Sequence, residues 1–320
     1  NDNLEEILRT NDKKKDICGV KIFMGSSTGN LLVDNPILLE KIFEGSEVLI
    51  ATHCEEERLI KQNLAIAAAE NRKLTVADHP IIRDEEVCFE SSFRAVQMAK
   101  KFGTRLHVLH ITTAKELQLF SNMLPLEEKR ITSEVCVHHL HFTSDDYAKL
   151  GNQIKCNPAI KAPHNKTALW EGLLDDRLDI IATDHAPHTL EEKSQAYSAA
   201  PSGGPLVQHA LLAMLDKVQE GRISIERVVE KMAHEPATLF RIEERGFIRE
   251  GYHADLVLVK PEAGEVVTKS NVLYKCAWSP FEGHQFAHQI HSTYVNGNCV
   301  YNNGQIQEGS NGQRLAFSPR

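Results

Sequence analysis

Several features are missing from this sequence, and each absence argues against a class of protein. No run of 18 apolar residues occurs, so no transmembrane helix is predicted, and we expect no secretory signal peptide. The seven cysteines never form a Cys-x-x-Cys pair, which argues against a zinc ribbon or a disulfide framework. The 36 basic residues are interspersed among 44 acidic ones, for a net charge of −8, so no basic surface for nucleic acid or a membrane is predicted. Unpaired cysteines are typical of a reducing compartment, and we expect a cytoplasmic protein.

The sequence does contain a regular alternation of strand-like and helix-like segments. Short apolar runs predict five strands near residues 20, 48, 105, 132 and 178. Helical patterns lie between them, for example over residues 86–101 and 114–121, and a longer one follows over 205–219. This repetition predicts a parallel β/α architecture, and 320 residues suit one large domain with an appendage.

The character of the sequence changes after Gly251. Two strand patterns follow with no helix between them, and the pair Asn296-Gly297 predicts a tight hairpin turn. We therefore expect a β/α portion over residues 1–250, a β-sandwich portion over 251–307, and a polar, loosely held tail over 308–320.

Four predicted strands carry metal-binding groups at or near their ends. These groups are Lys21, His53, His110 and Asp184. Histidine and carboxylate side chains at the ends of separate parallel strands are typical of a metal site at the mouth of a barrel, and they suit zinc. A single histidine is more often an ordinary core or surface residue, but four such strand ends in series favour the metal site.

Lys21 lies between Val20 and Ile22, on a strand that we expect to be buried. A buried lysine is costly and has a lowered pKa. Its neutral amine can add carbon dioxide to form a carbamate, which is anionic and can bridge two metal ions. The alternative is a lysine that pairs with a nearby acid.

These residues lie in motifs that resemble the dihydroorotases, in the cyclic amidohydrolase group of the amidohydrolase superfamily. The resemblance runs in order along nearly the whole chain. The segments that carry it are Gly19–Gly29, His53–Glu56, Leu106–Thr113, Thr132–Leu140, Asn157–Lys161, Thr183–His188, Pro201–Gly203, Gly251–Val257 and Ser279–Gly283. The resemblance implies a TIM-like (β/α)8 metal-dependent hydrolase barrel with a small β-sandwich appendage.

The resemblance also implies a role for each matching residue. Two zinc ions are bridged by Lys21 as its carbamate, His53 and His110 hold one ion, and Asp184 holds the other. Asp184 is also the catalytic base, which takes a proton from the attacking hydroxide and delivers it to the leaving nitrogen. The expected substrate contacts are Asn157, His188, Ser202 and Gly203, with His188 directed to the substrate carboxylate. Taken without the resemblance, Asn157-Pro158 is an ordinary turn signal and Ser202-Gly203 an ordinary loop.

The chain departs from the family pattern in one large respect. The family's first ligand strand carries a His-x-His pair, and no histidine precedes Lys21 here. Five predicted strands are also too few for an eight-stranded barrel. We expect that an N-terminal portion of the barrel is missing from this chain and is supplied by the same polypeptide or by a companion fragment. A defective paralogue is the alternative.

The resemblance leaves three functions open. The first is a dihydroorotase that acts on dihydroorotate or N-carbamoyl-aspartate, and the resemblance is compatible with a homodimer. The second is a hydantoinase-like or allantoinase-like cyclic amide hydrolase. The third is a metal-poor scaffold that binds a partner carbamoyltransferase. Such scaffolds typically lose metal ligands, whereas Lys21, His53, His110 and Asp184 are all present.

Overall fold

The computed structural model describes residues 3–25, 33, 35–309 and 312–319. Its larger sheet has five parallel strands in sequence order, which confirms the predicted β/α architecture. The strands are Gly19–Phe23 (β1), Leu49–His53 (β2), Leu106–Val108 (β3), Ile131–Cys136 (β4) and Ile180–Ala182 (β5). In the described part of the chain, β1 and β5 each pair on one side only.

Twelve α-helices occur among the described residues, most of them between the strands. They are Leu4–Arg9 (α1), Pro36–Gly45 (α2), Glu57–Ala69 (α3), His79–Ile82 (α4), Glu85–Phe102 (α5), Val137–His141 (α6), Tyr147–Leu150 (α7), Pro163–Leu174 (α8), Leu190–Lys193 (α9), Ala210–Gln219 (α10), Ile225–Val229 (α11) and Glu235–Leu239 (α12). No helix in the described ranges is long and apolar enough to cross a bilayer.

Local sequence explains where the longest helix begins and ends. The Asp84 side chain accepts a hydrogen bond from the backbone N–H of Val87 and so caps the start of α5. Two acidic residues follow in its first turn, where they complement the helix dipole. Gly103 ends the helix in the left-handed conformation, with φ of 69°.

The register of the sheet places the strand ends side by side. Phe23 is opposite His53, Thr52 is opposite Val108, and Cys136 is opposite Ala182. Apolar side chains on one face of the strands, such as Ile22 and Ile50, are buried in the main core. Residues that follow neighbouring strands therefore meet at one edge of the sheet, which is where barrel enzymes carry their active sites.

The second sheet is antiparallel and lies after residue 251. Its strands are Leu256–Lys260 (β6), Gln289–Val295 (β7), Asn298–Asn302 (β8) and Gln305–Ile306 (β9). The predicted Asn-Gly turn joins β7 to β8, with φ of 52° at Asn296 and 80° at Gly297, the positive values that such a turn requires.

The structure corrects three local expectations. The helix predicted over 114–121 is only a 3₁₀ turn, Glu116–Leu119, because the Glu116 side chain is buried and accepts hydrogen bonds from Ser92 and Thr113. The helix predicted from residue 205 begins at Ala210. The tail is held at Phe317, which is buried and whose backbone N–H bonds to Lys15, while its other described residues are exposed. Part of the Gly19–Gly29 motif, Ser26–Gly29, lies outside the described residues.

Candidate active site

Two of the predicted metal ligands lie against each other at the ends of neighbouring strands. His53 is the last residue of β2, and His110 follows β3 by two residues. The Nδ1 atom of His53 is 3.0 Å from Nε2 of His110, and the rings meet edge to face. Both residues are only 3% exposed. The parallel register brings together two imidazoles that lie 57 positions apart in the sequence.

A buried carboxylate orients the first of these imidazoles. The other ring nitrogen of His53, Nε2, is 3.0 Å from Oε2 of Glu55, which is fully buried. Burial alone would raise the pKa of Glu55, but Arg83 and His53 hold it well below its usual range, so Glu55 stays charged. A carboxylate behind a histidine fixes the ring and its tautomer, as in carboxylate–histidine–zinc groups. Sequence reasoning did not identify this role of Glu55.

The histidine pair fits a zinc ion. With Zn–N bonds of about 2.05 Å and tetrahedral geometry, two ligand nitrogens lie about 3.3 Å apart, close to the 3.0 Å separation here. Burial, helped by the charge of His53, lowers the pKa of His110 well below 6.5. His110 is therefore neutral, which is the form of histidine that binds a metal.

The backbone is strained at two of the predicted ligands. His110 has φ of 40° and Asp184 has φ of 44°, although neither is glycine. Each follows its strand by two residues, at the same edge of the sheet. Strain of this kind costs roughly 1–3 kcal/mol and is concentrated at functional sites. It is an independent reason to place the chemistry at these two positions.

The structure contains a second group of potential metal ligands that sequence reasoning did not predict. Ligand atoms of Cys136, His138 and His139, all buried, lie within 4.8 Å of one another. Neither ring nitrogen of His138 has a hydrogen-bond partner among the described residues. Burial lowers the pKa of His138 to about 4, and the negative charge of Asp184 partly offsets that shift. The only feature of the sequence that pointed to this group is the pair His138-His139 immediately after a strand.

Lys21 is not buried, and that expectation is wrong. Its side chain is exposed, with Nζ 4.7 Å from the centre of the Phe23 ring. β1 is an edge strand of the described sheet, and Lys21 lies on the face opposite to the neighbouring Ile22, which is buried in the core. In the register of β1 and β2, Lys21 pairs with Ala51, which lies two positions before His53, so Lys21 and His53 are on the same face of the sheet.

The predicted substrate contacts lie on segments that contact one another. The Nε2 atom of His188 lies 3.2 Å from the carbonyl oxygen of Ser202. Gly203 has φ of 124°, and a Cβ there would lie 2.6 Å from the carbonyl oxygen of Ala186, so only glycine fits without a shift. The backbone N–H of Gly203 bonds to the carbonyl of Lys155, two residues before Asn157. The Oδ1 atom of Asn157 is buried and has no partner among the described residues.

Backbone contacts join this loop to the strand end that carries Asp184. His185 forms a parallel bridge with Gly204, and the N–H of Ala186 bonds to the carbonyl of Gly204. The Nδ1 atom of His185 accepts a hydrogen bond from the N–H of Leu206, which fixes the loop further along. The segment that follows Asp184 and the predicted substrate loop are therefore held together as one unit.

Comparison with known proteins gives the same family from sequence and from fold. The chain is similar to a dihydroorotase from Halobacterium salinarum, with 32% identity over 266 residues that cover 82% of this chain and 60% of the relative. It is similar to an allantoinase from Bacillus velezensis, with 32% identity over 260 residues that cover 80% of this chain and 56% of the relative. The chain thus spans about three fifths of the length of these curated relatives.

The fold matches that of an L-hydantoinase (dihydropyrimidinase) from Arthrobacter aurescens. The TM-score is 0.90 at 27% identity, over 98% of this chain and 71% of that chain. Residues 44–300 match the amidohydrolase family. The predicted resemblance and the barrel-type fold class are confirmed, and the chain belongs to the amidohydrolase family.

Proposed function

We propose that this chain carries much of the active site of a dihydroorotase, which reversibly hydrolyses dihydroorotate to N-carbamoyl-L-aspartate in de novo pyrimidine synthesis. The observation that carries the proposal is the buried pair of His53 and His110, oriented by Glu55, in an amidohydrolase fold. The substrate is a small molecule, and the reaction is cytoplasmic.

The residues present fit a zinc site, and we assign the ligands as follows. His53 and His110 would hold one ion, Asp184 would hold a second, and Lys21 as its carbamate would bridge them. The exposed side chain of Lys21 is accessible to carbon dioxide, and formation of the carbamate would require its amine in the neutral form. Bound zinc supplies Lewis acidity, which polarises an amide carbonyl and makes water more acidic.

Asp184 acts as the base and then as the acid. Its half-buried carboxylate, held at a strained position after β5, accepts a proton from the attacking water. The same carboxyl group then donates that proton to the ring nitrogen as the C–N bond of the cyclic amide breaks. In the reverse direction, it removes a proton from the carbamoyl nitrogen, so one side chain serves ring opening and ring closure.

The second part of the site binds and orients the substrate. The buried Oδ1 of Asn157 has no partner among the described residues, so it is available to accept a hydrogen bond from a ring N–H. His188 binds the substrate carboxylate with the ring nitrogen that does not face Ser202. Backbone groups of Ser202 and Gly203 close the other side, where a side chain at position 203 would not fit.

Hydantoinase or allantoinase activity is the second candidate. The allantoinase relative is as similar in identity as the first dihydroorotase relative, and the hydantoinase structure has the same fold. All three relatives open or close a cyclic amide by name or class, so the proposed roles of Asp184 and the histidine pair hold for each. The reactions differ in the ring substituents that the loop of His188 and Ser202 would contact.

The remaining barrel strands, we propose, come from a segment outside residues 1–320, on the same polypeptide or on a companion fragment. The support is that β1 and β5 each pair on one side only among the described residues, since unpaired edges of a parallel sheet invite pairing. The intact mass and N-terminal sequence of the protein from its own cells test this. A native start at Asn1 with no companion chain would contradict it and favour a defective scaffold. Less than one zinc ion per chain would favour the scaffold as well.

Replacing Asp184 with asparagine tests the catalytic assignment. Asp184→Asn keeps the shape of the side chain and removes the base, so kcat for dihydroorotate should fall by about a hundredfold to ten-thousandfold. Asp145→Asn, at an exposed position, is the control and should keep wild-type kcat. An Asp184→Asn enzyme with wild-type turnover would exclude Asp184 as the base.

A further inference from the structure

Lys193 is a buried lysine that the assigned chemistry does not use. It ends the short helix α9 and is only 2% exposed. Its Nζ atom donates to three backbone carbonyl oxygens: Lys155 at 2.9 Å, Pro201 at 2.9 Å and Gly203 at 2.8 Å. An ammonium group has three donors, and here each has an acceptor.

The three acceptors lie on two segments that border the proposed substrate site. Pro201 and Gly203 flank Ser202, whose carbonyl accepts from His188. The third acceptor, the carbonyl of Lys155, also accepts the N–H of Gly203. Lys193 therefore joins the substrate loop to the segment that leads to Asn157. Within the loop, its two acceptors lie on either side of Ser202, the residue that bonds to His188.

A second lysine holds the preceding part of the same loop. The Nζ atom of Lys155 donates to the carbonyls of Tyr197 and Ala200. Together, Lys155, Lys193 and His188 bind five carbonyl groups between residues 197 and 203. Few helix or sheet hydrogen bonds hold this segment, so these side-chain donors supplement its backbone bonds in fixing its path.

Placing a lysine here has a cost that packing alone would not require. Burial lowers the pKa of Lys193 to about 8, because the charged form has lost its water. An apolar side chain would fill the same space without that cost, but it would deprive the carbonyl groups of Pro201 and Gly203 of this donor. The hydrogen bonds, not the volume, are what this side chain contributes.

We propose that Lys193 is a positioning residue that fixes the loop of residues 194–204, so that His188, Ser202 and Gly203 form one side of the substrate site. The kinetic effect expected of this role rests on the proposed function, whereas the structural effect does not. Lys193 touches no reacting atom and acts through the carbonyl groups it binds.

Hydrogen exchange of the full-length protein tests the proposal without any assay of activity. Lys193→Met is close in shape and has no donor, and Lys149→Met, at an exposed position of α7, is the control. Exchange of amides 199–204 should accelerate at least tenfold in Lys193→Met and remain unchanged in Lys149→Met, while β2 and β3 keep wild-type protection.

Two results would overturn the proposal. One is unchanged exchange of amides 199–204 in Lys193→Met. The other is acceleration of β2 and β3 to the same extent as the loop, which would make Lys193 a support of the whole fold. If the Met variant does not yield folded protein, Lys193→Gln, which retains two N–H donors, is measured with the same two criteria.

Kinetics supply a second readout. Because the loop binds substrate and carries no catalytic group, Lys193→Met should raise KM for dihydroorotate by about tenfold and change kcat by less than about threefold. A fall in kcat at unchanged KM would contradict a positioning role. If the wild-type protein turns over no cyclic amide, the proposed function fails, and the exchange experiment still decides the role of Lys193.

Discussion

Glu55 lies behind His53, a predicted metal ligand, and fixes the orientation of its ring. Its carboxylate is fully buried, carries its charge because Arg83 is beside it, and faces Nε2 of His53. The remaining nitrogen of the ring is thereby directed at His110. The residue that fixes the geometry of the pair is not one of the proposed metal ligands.

Removing the charge of Glu55 should weaken zinc binding. Glu55→Gln keeps the size of the side chain but no longer favours the tautomer that presents Nδ1 to the metal, so zinc affinity should fall by about tenfold to a hundredfold. Competition with a chelating dye measures this without reference to turnover. Glu44→Gln, at an exposed position in α2, should bind zinc as the wild type does. Equal affinities in the two variants would show that Glu55 does not orient a ligand.

Sequence reasoning singled out the residues of the proposed site but not their environment. His53, His110 and Asp184 could be predicted because each comes at the end of an apolar run. Glu55, Lys193 and the group around Cys136 could not, since their partners are distant in the sequence and are brought close only by folding. Lys21 was predicted to be buried because its neighbours are apolar, but burial depends on what lies beside β1.

At the scale of elements, the loop of residues 194–204 depends on a glycine with a restricted environment. A Cβ at Gly203 would approach the carbonyl oxygen and Cβ of Ala186 at 2.6 and 2.9 Å, so Gly203→Ala must move the loop or the segment after Asp184. We expect a rise in KM of at least tenfold for dihydroorotate. Gly221→Ala is the matched control, because Gly221 also has positive φ but nothing lies within 4 Å of its added Cβ. A similar KM in both variants would contradict the loop's role in binding.

A buried histidine joins α10 to the segment between β6 and β7. His209 precedes the first residue of α10, bonds to the hydroxyl of Ser279 and stacks on Phe286. Burial lowers its pKa from 6.5 to about 4. In the unfolded chain this histidine takes up a proton below pH 6.5, whereas in the fold it does so only near pH 4. Stability from this group is therefore lost as the pH falls from 6.5 to 4.

The pH dependence gives a prediction for His209→Gln. As the pH falls from 6.5 to 4, the free energy of unfolding of the wild type should decrease relative to that of the variant by up to about 1.4 kcal/mol per pH unit. Urea unfolding at pH 7 and pH 5 measures it. His164→Gln, which removes an exposed histidine, should follow the wild type. A difference that stays constant with pH would mean that His209 does not titrate with a lowered pKa.

Elements were predicted best where local sequence determines them. The five parallel strands and helix α5 come from apolar runs and caps, and the structure has them close to the predicted residues. The segment after Thr113 was predicted as a helix from its composition, but the buried Glu116 holds it as a 3₁₀ turn through Ser92. Contacts between distant elements override local preference there, and nothing in the local pattern signals it.

For the whole molecule, the sheet order and the family agree while the activity still requires a test. Five parallel strands in sequence order, with polar strand ends at one edge, form the architecture expected of the amidohydrolase family. The chain spans about three fifths of the length of the curated relatives compared above. We therefore propose the reaction for the protein as its cell produces it, and activity should be measured on that protein.

The most direct test compares three substrates with that protein. Dihydroorotate, hydantoin and allantoin are offered to the zinc-loaded protein and to the same protein after chelation, and product formation is measured. Our account predicts that dihydroorotate is turned over with the highest kcat/KM, that chelation abolishes turnover and that added zinc restores it. Turnover of hydantoin or allantoin but not of dihydroorotate, or turnover that chelation leaves unchanged, would contradict it.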